Sequence, residues 1–431
     1  MKILLSDASG LTACQLATIL SLKNHTVHVL SPPGVAITKS TRHVSYVHLV
    51  PPFGLDPYAW LDAALAVITN EKDQFDVLIC SQEQVAIISA EIDRVRTTGV
   101  AVAVPEFSAL RKVIDKVSAC STLREVGLSQ PESVVINSMQ ELDEKSFKHE
   151  AFLPGFVKLP IATGSTGVRR VLSLYALRAA CLDWGVFEKG KEGKVLLQKE
   201  ITGPLLMVCG IFSRGRLVAW HSCLRAREGE NGGASIKISL PLPIILRDLE
   251  PLGEALKWHG GLSLDAILVE KGGVKELYYI DVNPRIVEPM NGLLAGVDLV
   301  AALLGVSLTR ADKEEVWWDG VLSKGKEGVV THQLILVLLA AARRGRGELV
   351  RELLGVVSGR GLYKGSVEEL TPVEGDWWIL LMLVGLVIGL LVGGKRAVEW
   401  LSGGTIKNYA VSPEGWEKIC RRVDERERDK T

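Results

Sequence analysis

The sequence predicts a chain of mixed class, α/β at its amino end and α+β in its middle, closing in a helical carboxy-terminal region. Three observations carry that expectation. Short apolar runs of strand length alternate with helix-period segments over residues 1–105, the pattern of an open parallel sheet. Between Phe156 and Asn283 the alternation stops, and apolar runs follow one another across glycine turns as antiparallel strands do. Past Leu304 the apolar positions recur at helical spacing.

Composition bounds the function. With 431 residues, 47% of them apolar, the chain can fill proper cores, which excludes a disordered or fibrous protein. Fifty basic and fifty acidic residues give zero formal charge, so no overall field draws the chain to nucleic acid, and any anion site is local. Seven cysteines (14, 80, 120, 181, 209, 223 and 420) are odd in number and never spaced C-x-x-C. That pattern fits reduced thiols in a cytosol-like compartment without a structural zinc. The start, Met1-Lys2-Ile3-Leu4-Leu5-Ser6-Asp7, has too short an apolar run for a signal peptide and is expected to be a strand.

In order, residues 2–6 are expected as a buried strand, 9–23 as a helix and 26–30 as a second strand. Residues 76–80 and 100–104 continue the strands, with a helix over 83–96 between them. The first turn, Asp7-Ala8-Ser9-Gly10, lacks the three glycines of a dinucleotide site, and a helix N-cap at Ser9 or Asp7 accounts for it better. An amphipathic helix between Phe107 and Gly127 carries Asp115-Lys116. Lys158 follows in an apolar strand, where a lysine ordinarily snorkels to an edge. The loop Gly164-Ser165-Thr166-Gly167 comes next; its glycines can take positive φ and present N–H groups as a nest for phosphate oxygens, or simply form a turn.

Gln198-Lys199-Glu200-Ile201 is expected to leave a strand into a bend, and residues 205–212 and 216–221 to pair as a hairpin. Residues 225–233, rich in charge and glycine, are expected as a mobile surface loop whose arginines either close on an anion or face water. A helix near 246–258 precedes two strands, 262–269 and 277–282, joined at Gly272-Gly273. The second runs into Tyr278-Tyr279-Ile280-Asp281-Val282-Asn283-Pro284-Arg285. Period-two alternation puts Asp281 and Asn283 on one face, and Pro284 stops the ladder because it has no N–H. Aspartate and asparagine oxygens suit a hard cation such as Mg²⁺, and arginine suits a phosphate. A strand end followed by a turn uses the same residue types, so these residues alone leave both readings open.

Lysine, lysine with glycine loop, strand-to-bend, acidic strand, then acid-x-Asn-Pro-Arg: in that order, over about residues 115–298, the chain resembles the ATP-grasp superfamily, with its carbamoyl-phosphate synthase and biotin carboxylase-like ATP-binding fold. The resemblance implies a Rossmann-like domain at 1–105, a two-lobed ATP-grasp domain at 106–304 and a helical region at 305–431. It also implies that Lys116 and Lys158 neutralise ATP phosphates under a flap of Gly164, Ser165, Thr166 and Gly167. Gln198, Lys199, Glu200 and Ile201 would form the interlobe hinge at the adenine. Asp265, Asp281 and Asn283 would hold Mg²⁺, two ions with Mn²⁺ as a substitute, and Arg285 would face the acyl phosphate. The sequence departs from the pattern twice. The second metal acid, usually glutamate, is Asp281, and where a glutamate often follows the hinge for the ribose stand Pro204, Leu205 and Leu206.

The implied activity is ATP-dependent activation of a small-molecule carboxylate as an acyl phosphate for attack by an amine, with ADP and phosphate released. A nucleotide-binding regulatory or membrane-tethered protein without turnover is the alternative. No Ser-His-Asp or Cys-His spacing nominates a nucleophile. Beyond Trp317-Trp318 and the basic run Arg343-Arg344-Gly345-Arg346, residues 377–394 form an uncharged apolar segment with Gly385, Gly389 and Gly393 at four-residue spacing. Two readings stand for it, a membrane span with the ATP site facing the cytosol, or the central helix of a bundle. The compartment expected is the cytoplasm. The tail after Glu414 is expected to end in a frayed helix.

Overall fold

A computed structural model describes the chain apart from residues 35, 71–73, 164–165, 189–192, 230–231, 310–321, 371–375, 404–405 and 430–431. Trp317 and Trp318 therefore lie outside the described residues, as do Gly164 and Ser165 of the glycine loop.

The amino end forms a parallel sheet from β1 (Lys2–Leu5), β2 (Thr26–Ser31), β3 (Tyr46–Leu49) and β4 (Val77–Ile79), in the order β3-β2-β1-β4. Ile3, Leu5, Val27 and Val29 point into one apolar core and Leu4, Leu30 and Leu78 into another. Burial on both faces explains why these strands read as unbroken apolar runs. The strand expected at 100–104 reduces to one bridge, Val77 to Ala101. The helix expected at 83–96 breaks at Glu91 into Val85–Ala90 and Ile92–Arg96. The segment 107–127 also breaks, into Phe107–Ile114 and Lys116–Glu125. Asp115 causes that break: it is extended, and its carboxylate accepts from the N–H groups of Val117 and Ser118 at 2.7 and 3.1 Å. This N-cap sets Lys116 at the first helical position.

An antiparallel sheet of β5 (Ser133–Ile136), β6 (Gly155–Lys158), β7 (Val168–Val171) and β8 (Val195–Lys199), ordered β5-β8-β6-β7, makes the smaller lobe. The larger sheet contains β9 (Leu205–Ser213), β10 (Arg216–Glu228), β11 (Ala234–Ser239), β12 (Gly260–Lys271), β13 (Val274–Asn283), β14 (Val330–His332) and β15 (Val367–Glu368). Its order is β13-β12-β9-β10-β11-β14-β15, so the carboxy-terminal region supplies two strands as well as helices. Gly272 and Gly273, with φ of 57° and 80°, turn β12 into β13. β10 runs on to Glu228, so Arg225 and Arg227, expected in a loop, are strand residues, while Glu230 and Asn231 lie outside the described residues. Arg227 is held by the Glu352 carboxylate and Tyr363, which leaves it no role over an anion in this arrangement.

Helices Leu334–Arg344, Arg346–Ser358, Trp377–Gly393 and Lys395–Gly403 build a bundle around Leu338, Leu349, Leu390 and Val398. Of the two readings of 377–394, the structure shows the bundle helix and not the span. Among the described residues no helix is long and apolar enough to cross a membrane. The 17-residue helix is about 25 Å long at 1.5 Å per residue, short of a ~30 Å hydrocarbon core. The frayed tail is corrected too: Pro413–Arg428 is a docked helix that buries Ile419 and Val423, with Arg426 donating to Glu91 at 2.9 Å and Lys418 to Asp56 at 3.0 Å.

Candidate functional site

Strand pairing brings the acidic residues together. β12 and β13 run antiparallel with Asp265 opposite Asp281 and Ser263 opposite Asn283. The register slips by one between the Asp265–Asp281 and Ala266–Tyr279 pairs, so Ile280 is the extra residue of a bulge. Its carbonyl accepts from Lys158 Nζ at 2.7 Å. Without that bulge Tyr279, which is fully buried in the core, and Asp281 could not both keep their faces.

The charges of the site are unevenly satisfied. Lys116 Nζ donates to Asp281 Oδ1 at 2.9 Å. Burial works against the lysine's charge, but the neighbouring Asp281 carboxylate outweighs it and holds Lys116 above its ordinary value. Asp265 has no such partner among the described residues; burial, then the Asp281 charge, push its carboxyl up to about 7. Lys158 is buried with Nζ donating to Gln198 Oε1 and the Ile280 carbonyl, both at 2.7 Å. Burial draws it down to about 8, with Asp281 pulling the other way.

Lys116, Asp265, Asp281, Asn283 and Arg285 line one cavity between the two lobes and the amino-terminal sheet. Thr163, at the start of the glycine loop, lines it as well and donates its hydroxyl to Glu83. Arg285 is buried, with Nη1 donating to the Ile286 carbonyl at 3.5 Å, and among the described residues its Nε has no partner. A buried guanidinium lacking a carboxylate is a standing demand for an anion. Leu205, where the family often shows a ribose-binding glutamate, also faces the cavity.

The other expected residues sit elsewhere. Lys158 lies under the bulge of β13 and does not line the cavity. Thr166 closes a turn, its N–H and hydroxyl both donating to the Thr163 carbonyl. Gly167 is not in the positive-φ region expected of it; it is needed for space, because a Cβ there would stand 2.3 Å from that of Ala162. At the hinge, Gln198 accepts from Lys158, Lys199 pairs with Glu132 at 3.7 Å, and Glu200 accepts two-pronged from Arg170. These side chains, and the half-buried Ile201 after them, do not line the main cavity, so any contact with a ligand there falls to backbone groups.

Sequence reasoning missed Glu83, Lys237, Glu288 and Tyr409. Glu288 and Tyr409 line the cavity. Lys237 is fully buried in β11 and pairs with Glu288 and with Glu369, a carboxylate that also accepts from Gln15 and Gln333 at 2.9 Å. Burial opposes its charge, yet the two glutamates raise it above the ordinary lysine range. A lysine between Ile236 and Ile238 in an alternating strand was a visible signal; Tyr409 and Glu83 carried none.

For a metal, the available donors are Asp265, Asp281 and Asn283; among the described residues no group of three His, Cys, Asp or Glu could hold an ion. The set still fits Mg²⁺, which takes one or two carboxylates and completes its shell with water and phosphate oxygens. The unpaired Asp265 beside Asp281 is the observation in favour, since the pair lacks one positive charge.

No family model and no curated protein matches the sequence. Solved structures do match. The biotin carboxylase domain of Hydrogenobacter thermophilus 2-oxoglutarate carboxylase, in complex with MgADP, ADP and bicarbonate, superposes with a TM-score of 0.55 at 16% identity, over 76% of this chain and 73% of that one. An L-amino acid ligase from Bacillus licheniformis gives 0.54 at 15%, over 72% and 74%. A carboxyaminoimidazole ribonucleotide synthase from Aspergillus clavatus, complexed with ATP, gives 0.56 at 14%, over 76% and 80%. At such identities the likeness is one of fold.

Proposed function

We propose, from the premise that the chain has the ATP-grasp fold, that it is an ATP- and Mg²⁺-dependent ligase joining a carboxylate to an amine. The observation that carries this reading is the gathering of Lys116, Asp265, Asp281, Asn283 and Arg285, whose Nε has no partner among the described residues, around one cavity. A carboxylate oxygen attacks the γ-phosphorus of ATP, the bond to the bridging oxygen breaks, and ADP leaves. The amine nitrogen then attacks the acyl carbon, phosphate departs, and the amine gives up a proton to solvent.

In that sequence the residues chiefly align and neutralise. Lys116 leaves Asp281 for a phosphate oxygen at little electrostatic cost, since both partners are anionic. Lys158 holds the bulge of β13 in register and joins the phosphates if it exchanges Gln198 for them. Thr163, Thr166 and Gly167, with Gly164 and Ser165, cover the phosphates. The backbone at Gln198, Lys199, Glu200 and Ile201 meets the adenine. Asp265, Asp281 and Asn283 would hold Mg²⁺, which would supply charge neutralisation at the transferred phosphoryl group. Arg285 supplies the guanidinium for the acyl phosphate.

Leu205 in the cavity and the inward commitment of Lys158 favour a second reading, a nucleotide-binding protein without turnover. A screen of carboxylates and amines with ADP release as readout separates the two. The ligase releases ADP only when both substrates are present and loses that activity in Lys116→Ala or Asn283→Ala. ATP binding with no ADP formed across the whole panel would sink the ligase reading and leave the second.

A further inference from the structure

We propose that the exposed face of the Trp377–Gly393 helix docks in the plane of an anionic lipid surface. The helix carries no charge along its length. One face is spent on the carboxy-terminal bundle, where Ile379, Leu383 and Leu390 are buried. Among the described residues nothing covers the opposite face. Trp377, Leu381, Val384, Ile388 and Val392 succeed one another at steps of three and four, which places them on one stripe. Trp377 is 74% exposed and Val392, at the far end, 73%. Gly385 and Gly389 lie exposed along the same stretch, and a Cβ built on either meets no atom within 4 Å. An uncharged helix with half its circumference in water is not a stable end state for a chain able to bury it.

Charge identifies the occupant. At the amino end, Lys39 and Arg42 share a groove with Trp378, Leu381 and Met382. At the carboxyl end, Lys395 and Arg396 are exposed, and the Arg346 guanidinium donates to the Val392 carbonyl at 3.0 Å. Asp376, the acid beside the first tryptophan, is buried and accepts from the Thr41 hydroxyl and the Arg42 N–H, so it does not offset these cations at the surface. Glu399, one turn beyond Lys395, offsets them only in part. The chain as a whole is neutral, so cations at both ends of one apolar stripe are a local feature.

A second copy of the chain fits this face poorly. Laid antiparallel it sets the basic amino end against the basic carboxyl end, and laid parallel it sets like ends together; either way like charges oppose. An anionic headgroup layer complements both ends at once, the apolar stripe enters the acyl boundary, and the tryptophan pair takes the interfacial position that suits its amphipathic rings. The helix lies on the surface and does not cross it, in keeping with its length.

The test is sedimentation of the full-length chain with vesicles of phosphatidylcholine alone and of phosphatidylcholine with phosphatidylserine, at low and high salt. The chain is expected to pellet with the anionic vesicles, to be released by salt and by alkaline carbonate, and to bind neutral vesicles about tenfold or more weakly. Leu381→Glu with Ile388→Glu, both exposed and outside the cavity, should abolish pelleting while leaving ATP binding and the circular dichroism spectrum unchanged. Lys395→Glu with Arg396→Glu should weaken it selectively on anionic vesicles. No binding to either vesicle overturns the proposal, as does equal binding to both. Retention after carbonate overturns it in favour of a span. Dimerisation abolished by Leu381→Glu with Ile388→Glu, without vesicle binding, assigns the face to a second copy.

Discussion

Replacing Asp265 by asparagine removes one of two carboxylates that strand register forces side by side, and the consequence for stability can be worked out from their titration. The Asp265 carboxyl rises from 3.8 to about 7 in the fold, chiefly through burial and secondly through Asp281. A raised folded value means stability that is fully present below 3.8 and lost as pH climbs through about 7. The whole difference corresponds to roughly 4 kcal/mol, of which about 2 to 3 kcal/mol falls between about pH 5 and about pH 8. Urea unfolding of the metal-free protein at those two pH values, compared with Asp265→Asn, reads it directly. The wild-type chain should lose stability toward the alkaline end, the variant should lose much less, and near pH 8 the variant should be the more stable. Mg²⁺ at millimolar concentration should recover the loss in the wild type and do little for the variant, because a bound ion replaces the missing positive charge. An Asp265→Asn protein that is less stable near pH 8 and keeps the wild-type slope would refute both the assignment of the titrating group and the idea that the pair is short of a cation.

Three further outcomes follow from buried groups elsewhere. Glu369→Ala leaves Lys237 buried with one carboxylate in place of two, and should cost about 3 to 5 kcal/mol in denaturant unfolding, whereas pairing it with Lys237→Met should restore much of the loss. Burial lowers His221 to about 4, so its stabilising contribution is present above 6.5 and disappears as pH falls through about 4; His221→Gln should flatten the acid limb of the stability profile. Gly260→Ala should destabilise by about 1 to 3 kcal/mol, since φ there is +102° and the new Cβ would sit 2.6 Å from the Ala103 carbonyl oxygen; a melting temperature unchanged in that variant would contradict the close approach of the two domains.

What could be read from the sequence was whatever one strand's period or one terminal residue dictates. Asp281 and Asn283 alternate with Val282, and Pro284 ends the run, so their common face was legible without knowing any neighbour. The expected open parallel sheet was legible for the same reason, since runs buried on both faces have no alternation to misread. Strands β14 and β15, of three and two residues, are too short to carry a period, and the helical region concealed them.

The pairing partner of Asp281 was less accessible. A hairpin turned by two glycines permits several registers, and the one adopted contains a bulge that no apolar pattern marks, because Ala266, Tyr279 and Val282 are buried and Ile280 is the residue left over. That bulge decides where Lys158 goes. A lysine in an apolar strand was expected to snorkel to an edge, and only the resemblance put Lys158 at a phosphate; in the fold its ammonium group donates to the extra carbonyl at Ile280 and to the Gln198 side chain. Glu369 is further removed still, 132 residues from the lysine it neutralises, and joins Gln15 of the amino-terminal domain to Lys237 of the central sheet. Such a contact exists only after the sheet and the carboxy-terminal strands have assembled around it. The local pieces of this site were therefore legible as chemistry, while the long-range register that sets which charges meet is a property of the assembled sheet.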